Sequence, residues 1–324
     1  MKVDVSKVNV GGAGYLIVDE PTGSALELGT FAKAACDFKG LIGADGLAWI
    51  SGIGPDSISI SAFSRDGHNL SFSINAAIAA AAYSFDRIQS QHVRIEQSGG
   101  ICYVQMDRHV AGFLRCRAFR FSSERLTNAR SPLEGPVTQN VIPGVSTPEM
   151  FLIGDRRQIV VETSSVDDTD LADLGRDIKA RLAREPSEIA VTMMHRIGPN
   201  KSFIRTYDAN DDEVVRSCLG AAAAAALFMN STSSHEQSEL VIFGVASSID
   251  VALTLDGARR DVELLVRAAE AYTASAEWTG AAFIGQMTGS INLTVLGTLT
   301  ELGEAELGSI ALDGFYKAGS EETR

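Results

Sequence analysis

Apolar and polar residues alternate along most of the chain, in short runs bounded by turn residues. Such runs occupy 3–10, 14–19, 47–51, 57–62, 92–97, 101–107 and 112–121, and then 150–153, 158–163, 189–196, 202–207, 239–245 and 248–255. Alternation with period two puts one face of each run against a core, so these segments are expected as strands. Helical spacing marks 25–37, 167–184 and 261–272 as amphipathic helices. Two stretches do neither. After Ser73 and after Ser217 the chain runs into blocks of alanine. Alanine has the highest helix propensity, and a helix apolar on every side must be buried on every side. The host expected for each is a sheet curled around it.

The surroundings of these blocks repeat. Each has an aromatic residue (Phe63, Tyr207) ending an alternating run, then a polar turn, a short apolar segment, and a serine ten residues after the aromatic. Asp66-Gly67 is a hairpin-turn signal in the first copy. Ser73 and Ser217, 144 positions apart, are placed to cap their helices by accepting from first-turn amides. The proline-bearing stretch 122–145 is the expected crossing between two halves. The division expected is 1–122 plus about 284–324 for one half and 123–283 for the other.

Charge and composition narrow the partners. Lys plus Arg number 28 against 41 Asp plus Glu, a net charge of −13, which argues against nucleic acid and against an anionic membrane surface. The one basic stretch, Arg108, Arg115, Arg117, Arg120 and Arg125, alternates as the solvated face of a strand does. No apolar leader is visible, and the longest apolar run, 221–229, is too short for a membrane span. Cys36, Cys102, Cys116 and Cys218 have no metal-ligand spacing, so free thiols and a cytoplasmic location are expected. The histidines form no metal-binding set, and Val10-Gly11-Gly12-Ala13-Gly14 leads into a strand, not a helix, so neither a metal nor a nucleotide cofactor is expected.

Over nearly its whole length the chain resembles diaminopimelate epimerase and its relatives. Gly43-Ala44-Asp45-Gly46-Leu47 is similar to that family's Gly-Ala-Asp-Gln/Gly-Leu, and Phe63-Ser64-Arg65-Asp66-Gly67 to its Phe-Asn-x-Asp-Gly. Thr147-Pro148 stands where the family has Asn-Pro-His. Tyr207-Asp208 with Glu213 resembles aromatic-Glu-Arg-Gly-x-Gly-Glu, and Thr279-Gly280-Ala281-Ala282-Phe283 resembles the closing Thr-Gly-Pro-Ala-x-Phe. The resemblance implies an α+β fold of two pseudo-symmetric domains, each a curved antiparallel sheet or barrel around a central helix, with the active site between them.

The family's epimerases work with two cysteines at opposed helix N-termini, one thiolate removing a proton and one thiol returning it. Here both positions hold serine, Ser73 and Ser217. Sliding the second motif by one residue makes Cys218 the thiol instead. The substrate-binding positions differ as well: Ser64 replaces asparagine, Glu149 replaces histidine, and Asp208-Ala209 replaces the Glu-Arg pair. Diaminopimelate is therefore not the expected substrate. The resemblance implies a cofactor-independent isomerase moving a proton beside a carboxylate or carbonyl of another small acid. Ser73, Ser217, Asp208 and Glu149 are its candidate catalytic residues, with Asp45 a further carboxyl whose place in a glycine-rich turn suits backbone support. Candidate substrate-binding positions are Ser64, Asn75 and Ala76 in the first half, and Thr147, Cys218, Leu219 and Gly220 in the second. The alternative is a family member without catalysis that binds a small molecule or serves as a scaffold. A small-molecule carboxylate is the expected partner, and the sequence leaves room for a homodimer.

Overall fold

The structure is a computed structural model. It describes residues 2–19, 28–37, 43–88, 90–108, 114–125, 149–153, 156–164, 168–182, 189–198, 201–208, 213–215, 217–231, 238–243, 248–256, 259–278 and 283–291. Thr147, Pro148, Ala209, the 126–145 part of the expected crossing and positions 279–282 lie outside the described residues.

The same order of elements occurs twice. The first series is β1 (Lys2–Val10), β2 (Ala13–Asp19), α1 (Leu28–Cys36), β3 (Gly46–Ile53), β4 (Ser57–Ser64), β5 (Asn69–Leu70), α2 (Ile74–Ser84), β6 (His92–Gln97), β7 (Gly100–Arg108) and β8 (Leu114–Arg125). The second is β9 (Glu149–Ile153), β10 (Arg156–Glu162), α3 (Asp168–Leu182), β11 (Ile189–Gly198), β12 (Lys201–Asp208), β13 (Glu213–Val215), α4 (Cys218–Ser231), β14 (Ser238–Phe243), β15 (Ser248–Asp256) and β16 (Arg259–Trp278), followed by β17 (Phe283–Ile291). Registers repeat with the elements. Gly46 faces Ser64 in β3–β4 as Ala190 faces Asp208 in β11–β12, each pair displaced by 144 positions.

Pairing closes each series into a ring. The first runs β1-β2-β3-β4-β6-β7-β8-β16 and back to β1. The second runs β8-β9-β10-β11-β12-β14-β15-β16 and back to β8. Strands β8 and β16 belong to both. The barrels are mixed, not purely antiparallel: β2–β3, β4–β6, β10–β11 and β12–β14 are parallel. In each of these pairs a helix makes the crossover that a parallel connection requires.

The segment 261–272, expected as a helix, is strand in the middle of β16. Its Ala, Leu and Glu content favours a helix, but β8 and β15 take its first half as a ladder partner and β1 and β17 its second. Leu264, Val266 and Ala268 then point into the shared core. Tertiary pairing overrides local propensity here. On β8, Arg115 and Arg117 are exposed while Cys116 and Ala118 are buried, the alternation expected of a solvated face.

The alanine helices occupy the barrels: α2 touches the strands of the first ring and α4 those of the second. Small side chains let strands approach closely, and residue size is traded between helix and wall. In the first barrel Ala48 and Ala62 face each other, with Ala76 in the first turn of α2. At the matching positions of the second barrel stand Thr192, Thr206 and Gly220. A Cβ on Gly220 would lie 2.1 Å from Thr206 Oγ1 and 2.9 Å from Thr192 Oγ1. The outer helices α1 and α3 cover the other sheet faces. Gly175 of α3 sits so close to the buried Tyr207 ring that a Cβ would meet its Cδ1 at 2.0 Å.

Candidate active site

Ser73 is the N-cap of α2. Its backbone is extended (φ −141°, ψ 115°) and its hydroxyl accepts from Ala76 N at 3.2 Å. Gln97 grips it on both sides: Ser73 N donates to Gln97 Oε1 at 2.8 Å, and Gln97 Nε2 donates to Ser73 O at 3.2 Å. The Tyr15 hydroxyl lies 3.5 Å from Ser73 Oγ. In the second barrel the Ser217 hydroxyl accepts from Gly220 N at 3.0 Å, so both serines are caps, as their spacing predicts.

The two helix starts meet. Cys218 N, the first amide of α4, donates to Asn75 Oδ1 of α2 at 2.9 Å. Residues 143 positions apart are thereby joined at the point where both helices present their positive ends. Asn75, Ala76, Cys218 and Leu219 are all buried there. Cys218 supplies its amide, not its sulfur: complete burial pushes its thiol from the usual 9.0 up to about 12.

Strand register sets what surrounds each helix start. In the first barrel Tyr15 of β2, Gly46 of β3 and Ser64 of β4 stand opposite one another in a row. Tyr15 lies across Gly46, where a Cβ would meet its Cε1 at 2.8 Å. Ser64 is committed to the turn after β4, its hydroxyl accepting from His68 N at 3.2 Å. The matching row in the second barrel is Gln158 of β10, Ala190 of β11 and Asp208 of β12. Thr206, two residues before Asp208 and on the same face, packs on Gly220 in the first turn of α4. One pleat further on, Asp208 lies on the same face of β12 and is 6% exposed.

Glu149 opens β9 opposite Val160, one row away from Asp208 and on the far side of β10. Asp45 supports backbone: Oδ2 accepts from Gly14 N at 2.7 Å, and Asp45 N donates to Gly14 O at 2.7 Å. Beside it Lys7 donates to Gly43 O, and burial lowers the lysine's pKa against the pull of Asp45 and Cys36. Gln158, Gln97 and Tyr15 were not among the candidates from sequence. A lone polar residue opening the apolar run 158–163 was the available signal for Gln158. Among the described residues no group of His, Cys, Asp and Glu could hold a metal ion. No helix among them is long and apolar enough to cross a membrane.

No family model and no curated protein matches the chain. Solved structures do. A phenazine biosynthesis protein of the PhzF family from Bacillus anthracis superposes with a TM-score of 0.63 at 11% identity, covering 86% of this chain and 100% of that one. A predicted epimerase from Pseudomonas aeruginosa gives 0.62 at 14% identity, covering 86% and 99%. A hydroxyproline epimerase from Agrobacterium vitis, solved with trans-4-hydroxy-L-proline, gives 0.57 at 10% identity, covering 88% and 95%. The chain has the diaminopimelate epimerase-like fold. In that fold the paired barrels bring two inner helices together, and here the contact between them is Asn75 to Cys218. The fold is shared with these structures; at its centre this chain has two capping serines, a buried thiol and a Gln-Ala-Asp row.

Proposed function

We propose that this protein is a cofactor-independent isomerase that moves a proton at a carbon beside a carboxylate or carbonyl of a small acid other than diaminopimelate. The observation that carries this reading is the meeting of the two helix N-termini, joined by Cys218 N and Asn75 Oδ1. Opposed positive helix ends favour a carboxylate or developing enolate held between them. Similar folds include structures named as a proline racemase, a hydroxyproline epimerase and a methylitaconate isomerase, which supports the isomerase class.

The acid–base group in this reading is Asp208, a buried carboxyl two residues beyond Thr206, which packs on the first turn of α4. Ser73 and Ser217 hold the helix starts in place, and their hydroxyl-to-amide bonds point α2 and α4 at the ligand. Neither serine is the base, because an alkoxide is inaccessible near neutral pH. A thiol raised to about 12 removes Cys218 from the same role. Glu149 is the second candidate carboxyl.

One observation favours a binding protein without catalysis. Asn75 already fills the Cys218 amide, and the two thiols expected of an epimerase are both replaced. Incubation in deuterated water with a panel of amino, hydroxy and unsaturated acids separates the two readings. Deuterium entering one acid, and stopping in Asp208→Asn, is the isomerase result. Tight binding with no exchange in any acid would give the protein to the second reading.

A further inference from the structure

The two barrel mouths are built on the same register but finished differently, and the difference lies in Gln158. In the first barrel the matching residue, Tyr15, spreads over Gly46 and reaches Ser73, closing the row. In the second barrel Gln158 is fully buried, and neither its Nε2 nor its Oε1 has a hydrogen-bond partner. Ile159 and Val161 pack outward with the α3 core, so alternation turns Gln158 inward, where Val160 and Phe151 join the core around α4. Buried amides are paired in almost all proteins. Gln158 has both ends open, in the same row as Asp208 with Ala190 between them.

We infer that Gln158 reads the ligand, and that the ligand is a small acid carrying a neutral carboxamide. This rests on the site proposed above. Gln158 offers donors on Nε2 and an acceptor on Oε1. A primary amide supplies the matching edge, its carbonyl accepting from Nε2 and one N–H donating to Oε1. Ala190, between Gln158 and Asp208, is small, and two strand spacings separate the outer pair by roughly 10 Å at Cα. A carboxylate at that place satisfies Nε2 only, leaves Oε1 unpaired and faces the Asp208 carboxyl. The ligand's own carboxylate belongs at the helix starts, where the amides are.

The test is calorimetric titration of the full chain with matched pairs: succinamate and succinate, glutamine and glutamate, asparagine and aspartate. The amide member of at least one pair is expected to bind about tenfold tighter, the worth of one further good hydrogen bond. Gln158→Leu and Gln158→Met should each erase that preference. Both should also raise the melting temperature of the ligand-free protein by about 2–4 °C, because a buried amide with no partner is replaced by apolar volume. Two results overturn the inference: carboxylates binding as tightly as their amides, or a lower melting temperature in both variants. Equal binding accompanied by deuterium exchange removes Gln158's role and leaves the proposed site intact. Silence from every pair removes the carboxamide inference, and silence from the wider deuterium panel as well removes the proposed site.

Discussion

Replacing Asn75 by alanine tests whether the meeting of α2 and α4 is an oxygen-binding site or ordinary packing. Asn75 Oδ1 is the acceptor for Cys218 N at 2.9 Å, in a place where both residues are buried. Without it that amide has lost its partner between two helix ends, at a cost of about 1–3 kcal/mol. The better helix propensity of alanine returns roughly 0.5 kcal/mol. The variant is therefore expected to lose about 1–2 kcal/mol, read as a lower urea midpoint at unchanged slope. Its second property matters more. The vacated space holds an unpaired amide and two positive helix ends, so a small carboxylate should enter. Acetate at ten times its dissociation constant would restore about 1.4 kcal/mol. The same acetate should stabilise the parent less, because there Asn75 already fills the Cys218 amide. Chloride at equal ionic strength serves as the control. If Asn75→Ala is as stable as the parent, or if acetate stabilises both alike, the contact is packing, and the anion-binding argument for the helix pair fails.

Three further outcomes follow from packing on the two faces of the barrel walls. Gly220→Ala places a Cβ 2.1 Å from Thr206 Oγ1 and should destabilise by about 1–3 kcal/mol in chemical denaturation. Adding Thr206→Ala, which removes the closer contact and leaves Thr192 Oγ1 at 2.9 Å, should recover part of the loss, so additivity of the two changes would contradict the packing account. Gly175→Ala, driven into the Tyr207 ring, should cost at least as much and lower the yield of folded protein in a solubility assay. Burial holds the Cys102, Cys116 and Cys218 thiols at about 12 from the usual 9.0. Between those pH values the folded chain keeps protons the unfolded chain releases, so their contribution is full below pH 9 and is lost as pH rises towards 12. Each thiol adds a slope of about 1.4 kcal/mol per pH unit in that window. Melting temperature should fall steadily above pH 9, and Cys116→Ala should flatten the decline; a flat profile in the parent would contradict the burial.

Much of the architecture was readable because it depends on local chemistry. A serine before an alanine block signals a capped, buried helix, and the turns that follow Ser73 and Ser217 are both capped and buried. The alternating runs became strands at nearly the expected places. What local chemistry could not reveal is which sheet a run joins. The segment 261–272 has helical composition, and only closure of two barrels through one strand makes it β16. The candidate residues divide along the same line. Asp208 was named through the family resemblance at Tyr207-Asp208. Gln158 was not, because its neighbours across the sheet come from parallel pairing through a helical crossover, a register that no turn residue announces. The likeness of the two halves also conceals their difference. Ala48, Ala62 and Ala76 against Thr192, Thr206 and Gly220, and Tyr15 against Gln158, leave one barrel mouth closed by a ring and the other edged by an open amide. In the proposed reading, a ligand between the two helix starts would meet a tyrosine ring on one side and an amide on the other. That asymmetry, more than the paired serines, is where the proposal locates selectivity.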